Sequence, residues 1–336
     1  MKEIGATPFA GKIKTVYIGG GTPSLLEPSE IEAIINKLQE KFHPVHGAEI
    51  TLEANPGTID LHKIRALSNT GINRLSIGLQ SMNPGELRFL GRIHDENDSR
   101  NALKWTGRHF DNFSVDIMYG IPGQDHAGLR DNLKQLLSYN PPHISAYELS
   151  IEKNTPLSYM LSEGTITLPS DNDKIAMYEL VSDSLTGKDY LHYEISSYSR
   201  KGYHCRHNMN YWMRGEYLGF GASAHTLVHE TRLRNIQDTT AYIRLMEERG
   251  TAVVEEITLT DLDRINEEIF LQLRTDRGIN TDRISTSPEL IHHLEQEGLI
   301  LKKNGWIRLT EKGMLLSNRV IVEILYSIEK NTEIPV

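Results

Sequence analysis

The chain has 336 residues, 38% of them hydrophobic and 24% charged, a net charge of −9 and one cysteine. Length and composition fit a folded protein with one large α/β domain and a smaller appendix, and exclude a disordered chain. The acidic balance, spread without blocks of like charge, argues against nucleic acid as a partner, and no apolar run approaches the ~20 residues of a membrane span.

The start, Met1-Lys2-Glu3-Ile4, lacks the basic and apolar regions of a secretory signal, so the cytoplasm is the expected compartment. Apolar or β-branched runs at Thr15–Ile18, Glu49–Glu53, Arg74–Leu79, Phe113–Tyr119 and His143–Leu149 predict strands. Each is followed by a helical stretch; in 28–42, Ile31, Ile34, Ile35 and Leu38 fall at helical spacing behind Glu30 and Glu32. Strand–helix alternation implies parallel strands with helices outside, in an open sheet or part of a barrel. The polar groups Gly19–Pro23, Glu53, Gln80 and Asp116 fall at or just past the C-terminal ends of strands, where α/β barrels collect their binding groups.

From about Thr155 to Gly250 the periodicity weakens while aromatic, His and Gly residues accumulate, which predicts an extension beside the barrel. From Asp261 the pattern changes again. Helical stretches at 264–273 and 288–297 precede apolar runs at 299–303 and 306–309, joined by Asn304-Gly305, and a last helix starts near Glu311. Asn-Gly between two such runs is a strong hairpin signal, and helix, helix, hairpin predicts a winged-helix-like domain. Residues 261–330 hold 10 Lys/Arg against 12 Asp/Glu with no basic stripe, so a structural role is expected rather than DNA binding. No internal repeat or low-complexity segment is evident.

Gly19-Gly20-Gly21-Thr22-Pro23-Ser24 follows the first strand, and a glycine run there lets backbone groups approach a ligand with no Cβ in the way. It is neither a P-loop nor a dinucleotide fingerprint. Further on come Thr51-Leu52-Glu53-Ala54-Asn55-Pro56, Ser76-Ile77-Gly78-Leu79-Gln80-Ser81, Leu90-Gly91-Arg92-Ile93-His94 and Val115-Asp116-Ile117-Met118-Tyr119-Gly120-Ile121-Pro122-Gly123-Gln124. In this order these segments resemble the radical S-adenosylmethionine (SAM) proteins of the oxygen-independent coproporphyrinogen oxidase/HemW haem-chaperone family, and the similarity covers nearly the whole chain.

The resemblance implies an α/β fold, a partial (β/α)6 TIM-like radical SAM barrel with its first strand missing, followed by a C-terminal winged-helix-like domain. The implied division is residues 1–160 for the partial barrel, 161–258 for its extension and 259–336 for the C-terminal domain. It further implies that Gly20, Gly21 and Thr22 bind the methionyl group of S-adenosylmethionine, while Glu53, Gln80, Arg92 and Asp116 line the rest of that site. The chemistry agrees, since a zwitterion wants backbone dipoles and a counter-charge, a ribose wants carboxylate or amide partners, and Arg92 suits a carboxylate. The structural alternatives are helix capping for Glu53 and Asp116 and satisfaction of a buried backbone group for Gln80.

One departure is equally specific. The family carries Cys-x3-Cys-x2-Cys after its first barrel strand, whose thiolates hold a [4Fe–4S] cluster, whereas Cys205 is the only cysteine in this chain. A start placed too far downstream is the expected reason, with a degenerate member as the alternative. As written, the chain is expected to build no cluster and to be inactive in radical chemistry, because the cofactor carries that chemistry. An open sheet edge, with reduced stability or aggregation, is expected where the missing strand would pair.

A second constellation is His204-Cys205-Arg206-His207-Asn208-Met209-Asn210-Tyr211-Trp212. Within it His207, Asn208, Tyr211 and Trp212 match the HNxxYW motif that separates HemW-type haem chaperones from coproporphyrinogen oxidases. A neutral imidazole suits haem iron, and Tyr and Trp rings offer flat apolar surface to a porphyrin. The alternative is that Tyr211 and Trp212 pack internally while His207 donates to a carbonyl. Cys205 is a weaker candidate for an axial thiolate, a small buried hydrophobe being the alternative; His225, in a Gly-rich turn, either lines the same cavity or is structural. The implied function is binding haem and passing it to an unknown acceptor protein, with oxygen-independent coproporphyrinogen III oxidase as the alternative.

Overall fold

Alternating side chains on the expected strands produce a sheet with one apolar and one polar face. A computed structural model describes residues 1–284 and 286–332; Ser285 and 333–336, parts of the expected C-terminal domain, lie outside the described residues. The chain divides into two compact units, Lys14–Ile35 with His46–His204, and Met1–Ile13 with Asn36–Val45 and Cys205–Val336.

The first unit is built on a seven-stranded sheet of β1 (Lys12–Ile18), β2 (His43–Ala54), β3 (Arg74–Gln80), β4 (Phe113–Tyr119), β5 (His143–Glu148), β6 (Leu191–Glu194) and β7 (Ser197–Ser199), in the order β1-β2-β3-β4-β5-β7-β6. Strands β2 to β5 pair in parallel, and β7 runs antiparallel to both β5 and β6. This is the expected α/β half-barrel. In-register residues of parallel strands share a face. Leu52, Leu75, Ile77, Val115, Ile117 and Ile144 are buried on one face. The other carries the matched rows Glu53, Ser76, Ser114 and Gly78, Asp116, Ser145. The crossover helices begin at side-chain caps that satisfy their free amides: Asp60 before Leu61–Leu67, Asp95 with Asp98 as a capping box before Glu96–His109, and Asp125 before His126–Leu137.

The expected strands are all present, but β2 starts at His43 rather than Glu49. Its first five residues are exposed or half-buried, so Pro44 and Gly47 hide an extension that carries no apolar signal. Residues 155–250, where the periodicity of the sequence weakens, contain regular structure. The helix Asp171–Thr186 opens on a Ser170/Asp173 capping box, and the hairpin β6–β7 joins the main sheet. Strands this short give too few positions for an alternation to be read.

In the second unit β8 (His225–Val228), β9 (Thr231–Asn235) and β10 (Val253–Thr258) form an antiparallel sheet in the order β10-β9-β8. Farther along, the helix Asp261–Gln272 leads to β11 (Ile279–Asn280) and the helix Pro288–Gln296 to β12 (Ile300–Lys303) and β13 (Trp306–Leu309), and the three strands form a sheet in the order β11-β13-β12. Asn304 and Gly305, at φ +51° and +76°, make the β12–β13 turn; two successive left-handed residues are the signature of the tight turn expected there. Ile269, Leu273, Leu294, Leu299, Ile307 and Val320 supply the buried interior of this winged-helix-like portion.

Candidate functional site

The glycine loop after β1 is shaped around one carboxylate. Glu53, near the end of β2, accepts from the Tyr17 hydroxyl at 2.8 Å and from the Gly20 amide at 3.2 Å. A Cβ on Gly19 would lie 2.7 Å from Glu53 Cδ and 2.8 Å from both Glu53 Oε2 and Tyr17 Cε1, so only glycine lets the chain pass this close. At Gly20 and Gly21 a Cβ would meet nothing within 4 Å; their backbone is uncovered, and Gly20 is left-handed at φ +87°. Thr22 caps the following turn, its carbonyl accepting from the Leu25 amide at 3.0 Å.

The remaining candidates meet along β3 and β4, where Gln80 ends β3 but Asp116 lies in the middle of β4 rather than at the expected C-terminal end. Gly78 faces Asp116 in register, with an irregularity before Gln80, and Gln80 itself is held left-handed at φ +69°. The site of a Cβ on Gly78 lies 3.2 Å from Gln80 Nε2 and 3.5 Å from Arg92 Nη2. Arg92 Nη2 donates to the Gly78 carbonyl at 3.0 Å, whereas its Nε is buried with no hydrogen-bond partner among the described residues. Burial lowers the Arg92 pKa. Desolvation pushes the Asp116 carboxyl up to about 6; a hydrogen bond from Ser145 and the charge of Arg74 restrain the rise, and the neighbouring Glu53 adds to it. Gly20, Glu53, Gln80, Arg92 and Asp116 therefore belong to one polar patch, with Gly21 and Thr22 in the same loop.

Several residues here carry no site assignment in the sequence reading. Besides Tyr17 they include Ser24, whose hydroxyl contacts Thr58 Oγ1 at 2.6 Å and accepts from the Asn55 amide at 3.1 Å. His94 bridges Asn55 Oδ1 and the Leu79 carbonyl, both at 3.1 Å, which ties the end of β3 to the loop after β2. Ser76 and Ser114 contact each other at 2.7 Å beneath Asp116. Strand register would have exposed the serines, since they alternate with the apolar positions on the face of Glu53 and Asp116. Deeper in the same unit, His143 Nε2 meets the Tyr193 hydroxyl at 2.7 Å and Tyr193 stacks on His204 at 4.2 Å. Burial, aided by Arg74 and His204, holds His143 well below the usual imidazole range.

In the other unit the helix Arg206–Trp212 carries the second constellation, with a fully buried Cys205 at its N-cap. His207 and Tyr211 lie one turn apart, as do Asn208 and Trp212, so the four form two adjacent stripes. His207 Nε2 and the Tyr211 hydroxyl are 3.1 Å apart, with the rings edge-on at 4.9 Å and 89°. Tyr211 in turn meets Tyr217 edge-on at 4.7 Å. All four side chains retain solvent exposure. Arg214, at a left-handed φ of +54°, closes this segment. Its guanidinium grips Glu230 at 2.6 and 3.1 Å and Glu267 at 2.8 Å, and Arg232 joins Glu267 at 2.7 Å. His225 sits at the exposed start of β8, its carbonyl packed against Gly219.

The uncovered glycine backbone and the buried, unsatisfied Arg92 Nε fit a zwitterionic nucleoside ligand, and the half-exposed imidazole with aromatic neighbours fits a flat metallo-macrocycle. An iron–sulfur cluster does not fit: the one thiol is buried at a helix N-cap, and among the described residues no group of three or more His, Cys, Asp or Glu is placed to hold a metal ion.

Comparison with known proteins agrees with the segments read above. Residues 1–136 match the Radical SAM superfamily and residues 259–316 the HemN C-terminal domain. The heme chaperone HemW of Bacillus subtilis (strain 168) is 31% identical over 319 residues, which cover 92% of this chain and 84% of that protein. The heme chaperone HemW of Lactococcus lactis subsp. lactis (strain IL1403) is 32% identical over 326 residues, covering 94% of this chain and 85% of that protein. In fold, the chain matches coproporphyrinogen III oxidase (HemN) from Escherichia coli, a radical SAM enzyme, with a TM-score of 0.82 at 23% identity over 98% of this chain and 81% of that one.

Proposed function

Since this chain belongs to the HemW family of the radical SAM superfamily, we propose that it is a haem-binding chaperone that passes haem to an acceptor protein. The observation that carries the reading is the helix Arg206–Trp212, which presents His207 beside the ring of Tyr211 with solvent access to both. His207 is the proposed axial ligand, Tyr211 and Trp212 offer the porphyrin its apolar surface, and Asn208 supplies an amide at the edge. Exposure suits the task, because a carrier must release its cargo to another protein.

S-adenosylmethionine is the proposed ligand of the first unit. Gly20, Gly21 and Thr22 meet its methionyl end, and Glu53, Gln80, Arg92 and Asp116 its remaining polar groups. When bound it supplies a charged sulfonium nucleoside; Arg92 offers that ligand a cation and Glu53 a carboxylate already oriented by Tyr17 and Gly20. The cluster that the family uses finds one thiol in these 336 residues, and no radical step is assigned to them. The cytoplasm is the proposed compartment; no helix among the described residues is long and apolar enough to cross a membrane.

The test is spectroscopic titration of the purified protein with haemin. A Soret shift saturating at one haemin per chain is expected, weakened at least tenfold in His207→Ala; an unaltered spectrum in the parent protein would remove the chaperone reading. Anaerobic iron–sulfide reconstitution, run in parallel, is expected to leave no stable [4Fe–4S] spectrum, and a robust one would overturn the ligand argument.

A further inference from the structure

We propose that the Tyr211 hydroxyl is a latch on His207: it occupies the imidazole Nε2, and it must leave before that nitrogen can take up a ligand position on iron. The proposal rests on the haem reading of this helix for its function, though not for its geometry.

Nε2 and the Tyr211 hydroxyl stand at 3.1 Å. In one imidazole tautomer Nε2 carries the proton and donates it to the phenol, leaving no lone pair for a metal; in the other its lone pair accepts the phenol proton. Both tautomers leave Nε2 engaged. Nε2 is also the ring nitrogen farther from the backbone. A macrocycle many ångströms wide reaches it without striking the helix that carries it, whereas Nδ1 lies close to the main chain. The nitrogen best placed to meet haem is therefore the one already taken.

The latch has room to open. Tyr211 is 39% exposed, so rotation about its χ1 swings the hydroxyl toward water, where it trades one hydrogen bond for another. The ring has a second support in Tyr217, edge-on at 4.7 Å and 78°, so losing the hydroxyl contact does not leave the ring without packing. A carrier gains from such competition. An internal partner that takes back Nε2 as iron departs favours release, and it keeps the empty imidazole from adventitious metals.

Tyr211→Phe removes the hydroxyl and leaves the ring. Two measurements on the full-length chain separate the latch from the haem reading. The first uses no haem: the rate at which diethyl pyrocarbonate acylates His207, followed by mass spectrometry of its peptide, should rise several-fold, on the order of fivefold for one net hydrogen bond. An unchanged or slower rate overturns the latch. The second is haemin affinity, expected to rise by a similar factor. A faster acylation with weaker haemin binding would mean that the hydroxyl steadies the bound state, and that also overturns it. If acylation rises while His207→Ala binds haemin as well as the parent, the latch stands and the haem assignment of this helix fails.

Discussion

Asp116 shows how a single side chain records the environment that a ligand site requires. Its carboxyl is pushed up to about 6 chiefly by desolvation, while an unfolded aspartate titrates near about 3.9. Between about pH 4 and about pH 6 the folded chain holds a proton that the unfolded chain releases. Stability from the neutral carboxyl is thus complete below about pH 4 and is lost as pH rises through about 6, by roughly 2–3 kcal/mol. Asp116→Asn removes this dependence: denaturant titrations should find the variant more stable than the parent by on the order of 1–3 kcal/mol at pH 7, and within about 0.5 kcal/mol of it at pH 4. A constant difference across that range would contradict the assignment. A second residue-scale expectation concerns Gly19. In Gly19→Ala the new Cβ, 2.7 Å from Glu53 Cδ, displaces the carboxylate from Tyr17 and Gly20, and calorimetric titration with S-adenosylmethionine should lose at least tenfold in affinity while circular dichroism stays unchanged. Glu53 was legible in the sequence because it lies near the end of its strand, whereas Asp116 sits in the middle of β4 and reaches the site through the face its strand presents. Tyr17 and Ser145 were not legible, because their use depends on which strand lies alongside, and pairing partners are far apart in the chain.

Elements are held by contacts that no local pattern announces. The turn after Arg206–Trp212 is fixed by Arg214, whose side chain is only 6% exposed and which shares Glu267 with Arg232. Removing the shared carboxylate strands two guanidinium groups, one of them buried. Glu267→Gln should therefore cost roughly 2–3 kcal/mol in chemical denaturation, and Arg214→Lys should be nearly as damaging, because an ammonium cannot reproduce the two-pronged grip on Glu230. Loss within about 0.5 kcal/mol of zero would show the network to be ornamental. The caps and the Asn304-Gly305 turn were readable from a few consecutive residues, since their physics is local. The helix Asp171–Thr186 and the strands β6 to β10 were missed: the helix has apolar residues on more than one side, and β10 is exposed along its whole length.

For the whole molecule, charge sets an expectation for what the C-terminal portion binds. A winged-helix plan invites nucleic acid, yet residues 261–330 carry 10 basic against 12 acidic side chains in a chain of net charge −9. Duplex DNA at about 0.15 M salt should show no mobility shift with micromolar protein, since phosphate neutralisation needs a basic surface; a salt-sensitive shift would reopen that role. The α/β alternation of the first half was legible because every parallel strand must be followed by a crossover long enough to hold a helix. Where the order of strands departs from the order of the chain, sequence gave no warning.

That departure matters for what the sheet can hold. With β7 lying antiparallel between β5 and β6, the succession of parallel crossovers halts at β5. A closed barrel has its bore dictated by strand number and stagger; a sheet that ends on an antiparallel hairpin obeys no such equation. On that side the curvature is set by the twist between neighbouring strands rather than by closure.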